Sequence, residues 1–160
     1  MRVLIISDTH GRLFNLKKVI DRCGPFDHVI HAGDFQRQES EIKEMCGCSL
    51  TMVKGNGDGA SSLPLMDVAC VENDRILVVH GHRHMVAYDR DYAVSLAKEN
   101  GCNMLVCGHT HMPFIDESDP DVTVMNPGSL TRPRQIDARP SFIVLSYDRQ
   151  GNHLLSMNYL

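Results

Sequence analysis

Short apolar runs recur along the chain, each followed by a polar turn or by a stretch with helical spacing. Val3-Leu4-Ile5-Ile6 reads as an opening strand. From Leu13 to Cys23 the apolar residues fall at 13, 16, 19, 20 and 23, one face of a helix, started by Asn15 or the preceding loop and stopped by Gly24-Pro25. Val29-Ile30 predicts a short strand, Gln38 to Met45 a charged helix, and Leu50 to Val53 a third strand. The runs 68–71 and 76–79 flank Asn73-Asp74, a hairpin signal. Asp89 to Asn100 predicts a further helix, ended by Gly101. Strands are expected at 104–107, 122–125, 142–146 and 154–157, with 116–121 a charged connector. Strands alternating with helices define an α/β fold. With no repeat, linker or low-complexity tract, one domain is expected over 1–160.

Composition narrows the partners. Charged residues make up 22% of the chain and the net charge is −4, which argues against an extended nucleic-acid surface or a polybasic membrane anchor. No apolar run approaches the roughly 18 residues of a membrane span. The start of the chain does not read as a signal peptide, because Asp8 and His10 follow its short apolar run at once. A cytoplasmic location is expected. The 6 cysteines include no Cys-x-x-Cys pair, so free thiols are expected rather than a structural zinc or disulfides.

The chemistry sits where apolar runs end. Five of them lead, in order, to Asp8-Thr9-His10, to Gly33-Asp34, to Gly55-Asn56, to His80-Gly81-His82 and to Gly108-His109-Thr110-His111. In open α/β sheets, ligands bind just past the carboxyl ends of strands. Residues two apart in extended chain point the same way, which would let Asp8 converge with His10 and His109 with His111. Gly33, Gly55, Gly81 and Gly108 permit sharp turns and close backbone approach. Alone, the first three are common turns, the His80 segment could be a solvated loop and the Gly108–His111 segment is moderately specific; together they offer more imidazole, carboxylate and amide donors than one tetrahedral zinc takes. The number suits two metals roughly 3.5–4 Å apart.

These five segments resemble the motifs of the calcineurin-like metallophosphoesterases. The length and Asn126-Pro127-Gly128-Ser129 resemble the small bacterial and archaeal YfcE-like phosphodiesterase branch. The resemblance covers nearly the whole chain. It implies a four-layer αββα sandwich, two mixed β-sheets flanked by helices, with a dinuclear centre at the strand ends. Carried over by position, Asp8, His10 and His111 would hold one metal, Asn56, His80 and His109 the other, and Asp34 would bridge them. The implied ions are divalent, manganese foremost, with nickel, iron, zinc or cobalt as alternatives. The implied activity is metal-dependent phosphodiester hydrolysis, by in-line attack of a metal-bridging hydroxide on a small diester or nucleotide, in a homodimer or homotetramer.

The chain departs from the wider superfamily at Gly57, where many members have a histidine that assists the leaving group. Asp34 and Asn56 join His82 as the expected catalytic set, with His82 either replacing the missing histidine or merely lying beside the metals. Asp58 is either an acceptor for a metal-ligating histidine or a turn-former. Segment 126–129 offers N–H groups and the Ser129 hydroxyl to phosphate, or is a plain turn. Arg132, Arg134 and Arg139 either steer an anion or line a solvated loop. His31 is expected to be structural, His84 to lie at the surface or rim, and His28 and His153 have no assigned role. The competing readings are a non-catalytic scaffold or binding module, as a eukaryotic retromer subunit resembling this fold is, and a nucleotide sensor. All seven metal positions are intact here, which favours catalysis.

Overall fold

The computed structural model describes residues 1–83, 85–86 and 88–160. Parallel pairing of β1 (Arg2–Ile6), β2 (His28–His31) and β3 (Ser49–Met52) builds three strands of one five-stranded sheet, and antiparallel β9 (Ser141–Tyr147) and β10 (His153–Tyr159) complete the order β10-β9-β1-β2-β3. The second sheet runs β4-β5-β6-β8-β7. It starts from the hairpin of β4 (Met66–Val71) and β5 (Asp74–Val79), followed by parallel β6 (Met104–Val106) and β8 (Thr123–Asn126) and antiparallel β7 (Phe114–Asp116). Both sheets are therefore mixed.

Alternation along each strand sorts the side chains into layers. Val3 and Ile5 of β1 meet Ile76 and Val78 of β5 and Met104 and Val106 of β6 in the core between the sheets. Leu4 and Ile6 face the other way, onto Leu16 and Val19 of α1 (Phe14–Cys23) and Ile42 of α2 (Glu39–Cys46). Leu77, Val79 and Leu105 turn outward onto Ala93, Leu96 and Ala97 of α3 (Arg90–Glu99). The layers are thus helix, sheet, sheet, helix, the expected αββα sandwich. Strands buried on both faces read as continuous apolar runs, which is why the sequence shows them so plainly.

The predicted elements recur within a residue or two, with one addition. Strand β7 was not expected; its three half-buried residues are too few to show a period. Helix α1 begins after Leu13 without a side-chain cap, and Asn15 instead donates to the Leu130 carbonyl at 2.6 Å. Helix α3 is capped by Asp89, whose carboxylate accepts the Tyr92 N–H at 3.0 Å. The cysteines are free thiols, and burial pushes Cys107 up to about 12. None of the described helices is long and apolar enough to cross a membrane.

Candidate metal centre

Asp8 and His10 follow β1, Asp34 follows β2, Asn56 follows β3, His80 follows β5, and His109 and His111 follow β6. Because the strands within each of these two sets pair parallel, their carboxyl ends share an edge of the sheet. Backbone bonds then stitch the loops together. Asp8 N–H donates to the Gly33 carbonyl at 3.0 Å, His10 N–H to Asp34 at 2.8 Å, and Gly108 N–H to His80 at 3.0 Å.

Asp8, His10 and His111 converge, as expected, but not through extended chain. Asp8, His10, Asp34, His109 and His111 have φ of 54°, 44°, 59°, 67° and 60°. Side chains rarely adopt this left-handed region, and such strain concentrates at functional sites. Two glycines explain how the loops approach so closely. A Cβ on Gly55 would collide with the Asp34 carboxylate, and one on Gly108 with the Ser7 hydroxyl.

Among the described residues two groups of donors result, Asp8 with His10 and His111, and Asp8 with Asp34 and His80. His10 Nε2 lies 3.2 Å from His111 Nε2, and His111 Nε2 lies 3.0 Å from Asp8 Oδ1. The two oxygens of Asp34 face opposite ways, Oδ2 4.0 Å from His10 Nε2 and Oδ1 3.5 Å from His80 Nε2. Asn56 Oδ1 joins at 3.2 Å from His80 Nε2. The His109 ring centre is 5.2 Å from that of His80, outside both groups. Asp8 thus belongs to both groups, which the motif spacing did not suggest.

Surrounding contacts aim these donors. His80 Nδ1 donates to the Ala32 carbonyl at 2.7 Å and His111 Nδ1 to the Arg132 carbonyl at 2.6 Å, which leaves each Nε2 a bare lone pair. His10 Nδ1 meets the Gln36 side-chain amide at 3.1 Å. Ser7 donates to Asp8 Oδ2 at 2.6 Å, and the His109 N–H adds a bond at 3.1 Å.

Asp8 Oδ1 is buried yet accepts no hydrogen bond from the described residues. A buried carboxylate oxygen left so, among imidazole lone pairs, calls for a cation. Nitrogen and oxygen donors without thiolate fit first-row divalent ions. Burial holds His10, His82 and His109 below the usual imidazole value, so they favour the neutral form that binds metal.

The remaining candidates divide. His82 is half-buried, its ring 5.4 Å from His80 and 6.2 Å from His109, and its buried Nδ1 has no hydrogen-bond partner among the described residues. Asp58 bonds no histidine. Its carboxylate accepts the N–H groups of Asp34, Gln36 and Gly55, holding the loops themselves. Ser129 is buried and donates to the Asp8 carbonyl at 2.8 Å, so its hydroxyl is not offered to phosphate; segment 126–129 is the structural turn. His31 is structural, as expected. It is fully buried, paired with Thr9 Oγ1 at 3.1 Å, and accepts the Gly33 N–H at 3.2 Å. Arg132, Arg134 and Arg139 are exposed, and His84 lies outside the described residues. The sequence reading missed Gln36, Ala32 and Arg132 as supports; the last two act through backbone carbonyls, which carry no residue signal.

Residues 1–150 match the family model described as the calcineurin-like phosphoesterase superfamily domain. The chain belongs to this superfamily. As a calcineurin-like phosphoesterase it is 38% identical, over 84% of its length and 70% of the relative's, to a probable metallophosphoesterase, MJ0623, of Methanocaldococcus jannaschii. It is 31% identical to the phosphodiesterase MJ0936 of the same organism, covering 80% of this chain and 83% of that one. In fold it is similar to wild-type Vps29 of Entamoeba histolytica complexed with zinc, at a TM-score of 0.79 and 22% identity over 99% of both chains.

Proposed function

We propose that this calcineurin-like phosphoesterase is a dinuclear-metal phosphodiesterase acting as a single domain, with small diesters or nucleotides as substrates. The observation that carries the reading is the Asp34 carboxylate, whose two oxygens face His10 on one side and His80 on the other. In this reading Asp8, His10 and His111 hold one ion, Asn56, His80 and His109 the other, and Asp34 both. Divalent ions held by these residues would acidify a bound water and neutralise charge on a phosphoester. Manganese is the first candidate, and the cytoplasm the expected location.

The chain's own residues supply orientation and proton handling. The Gly57 N–H donates to Asp34 Oδ1 at 2.7 Å, which would hold the carboxylate oriented between the two ions. Asn56 offers a neutral oxygen beside His80, which limits the negative charge facing the phosphate. Burial lowers the pKa of His82, so to assist the leaving alkoxide its ring would first take a proton from solvent through its half-exposed face and then donate it to the departing oxygen.

Support for a phosphodiesterase comes from the name of the relative MJ0936. The Vps29 likeness supports the alternative, a binding module on the same fold. Chelated and manganese-reloaded protein assayed with bis(p-nitrophenyl) phosphate separates them. Metal-dependent release of p-nitrophenol is expected; bound metal without turnover would favour the binding module.

A further inference from the structure

Beside the centre lies a cavity of about 450 Å³, walled by Arg37, Glu39, Ser40, Gly57, Ala60 and Ser61. Small-ligand sites span roughly 300–1,000 Å³. The cavity meets the centre at Gly57. A Cβ there would lie 3.1 Å from Asp34 Oδ1 and 3.2 Å from its Cγ. Any side chain at 57 would therefore crowd the carboxylate at the boundary of the two spaces, and glycine leaves that boundary open.

The wall is held in a strained form. Gln36 and Arg37 are consecutive residues at φ of 54° and 68°. Asp58 accepts the Gln36 N–H at 2.7 Å through one oxygen and the Asp34 N–H at 2.7 Å through the other. One buried carboxylate thus fixes both the central ligand Asp34 and the turn that brings Arg37 to the cavity. Backbone strain of this kind accompanies binding and catalytic sites.

The wall's chemistry selects an occupant. Arg37 donates, Glu39 accepts, and Ser40 and Ser61 do both. Asp58 also lines the cavity, but its oxygens are already engaged by backbone N–H groups. No described residue of the wall is aromatic, so a nucleobase finds no ring to stack on. Glu39 opposes a second phosphate. Hydroxyl donors and acceptors around one arginine and two carboxylates match neighbouring alcohol groups rather than a second anion. We propose that the cavity binds a neutral polyol arm, glycerol or a sugar, of a diester whose phosphate lies at the metal centre. The proposal rests on the phosphodiesterase reading.

The test compares glyceryl p-nitrophenyl phosphate with propyl p-nitrophenyl phosphate on the manganese-loaded protein. The two esters share a leaving group and differ in two hydroxyls. The glyceryl ester should show kcat/KM higher by about tenfold or more, mostly through KM, since a site that hydrogen-bonds a hydroxyl discriminates against its absence. In Arg37→Gly, which keeps the left-handed backbone, and in Glu39→Gln, that preference should fall to about twofold or less, with propyl ester turnover little changed. Equal rates for both esters in the native protein, or a preference that survives both substitutions, would overturn the polyol site. Should neither ester be cleaved, the phosphodiesterase reading fails by itself. Amide shifts of Gly57, Gly59 and Ala60 then decide the cavity: shifts caused by the glyceryl ester and not the propyl ester support it, and their absence overturns it.

Discussion

The Asp58 carboxylate accepts the backbone N–H of Asp34 at 2.7 Å, tying a residue of the Asn-Gly-Asp-Gly turn to the ligand that faces both halves of the metal centre. Both oxygens are engaged, and the residue is buried. Asp58→Asn would present an amide NH₂ to an N–H donor. It should cost about 1–3 kcal/mol of stability, the penalty of a buried donor left unpaired. Metal affinity should fall about 10–100-fold, as for other residues that orient ligands. Thermal melts and metal titration of the same variant check both.

Asp34→Asn removes the charge shared between the two donor groups. Activity should drop by about 100-fold or more, and metal stoichiometry should fall, because one carboxylate serves both ions. Elemental analysis after dialysis, set beside diester turnover, measures the two effects together. Full turnover with two ions bound would show that Asp34 is not the bridge.

His82→Ala separates proton transfer from positioning. If His82 aids the departing alcohol, loss of the imidazole should slow alkyl leaving groups by about 100-fold, within the usual span of general acid catalysis, and nitrophenolate far less. A plot of rate against leaving-group pKa should steepen in the variant. Parallel lines would assign His82 to positioning.

Stability of the metal-free protein should depend on pH through His31. Burial lowers this imidazole from its ordinary 6.5 to about 4. The unfolded chain therefore binds a proton that the folded one refuses as pH falls below 6.5. Its stabilisation is complete above that value and is lost progressively down to about pH 4, by on the order of 3 kcal/mol. Urea melts across this window should show the slope, and His31→Gln should flatten it.

Much of this could be read from the sequence because the strands are buried on both faces and end in chemically distinctive residues. Val3–Ile6 or Met104–Val106 cannot be mistaken for surface. Past their carboxyl ends, left-handed turns at Asp8 and His111 bring the two side chains to 3.0 Å. What escaped was of two kinds. Phe114–Asp116 pairs through its backbone at a sheet edge, where three residues leave no pattern. The holding contacts of Asp58, Ser129 and Arg132 depend on which atoms face the backbone of loops distant in sequence. The sequence leaves Asp58 open between a histidine partner and a turn; the loops after β2 and β3 bring the N–H groups of Asp34, Gln36 and Gly55 to it.

The central claim is that donors from five loops hold a pair of cations around Asp34. Anomalous diffraction from crystals of this protein soaked in manganese tests it most directly. Two peaks flanking the Asp34 carboxylate are predicted, one toward His10 and His111 and the other toward His80, Asn56 and His109. No peak there, or a single ion leaving Asp34 unligated, would contradict it.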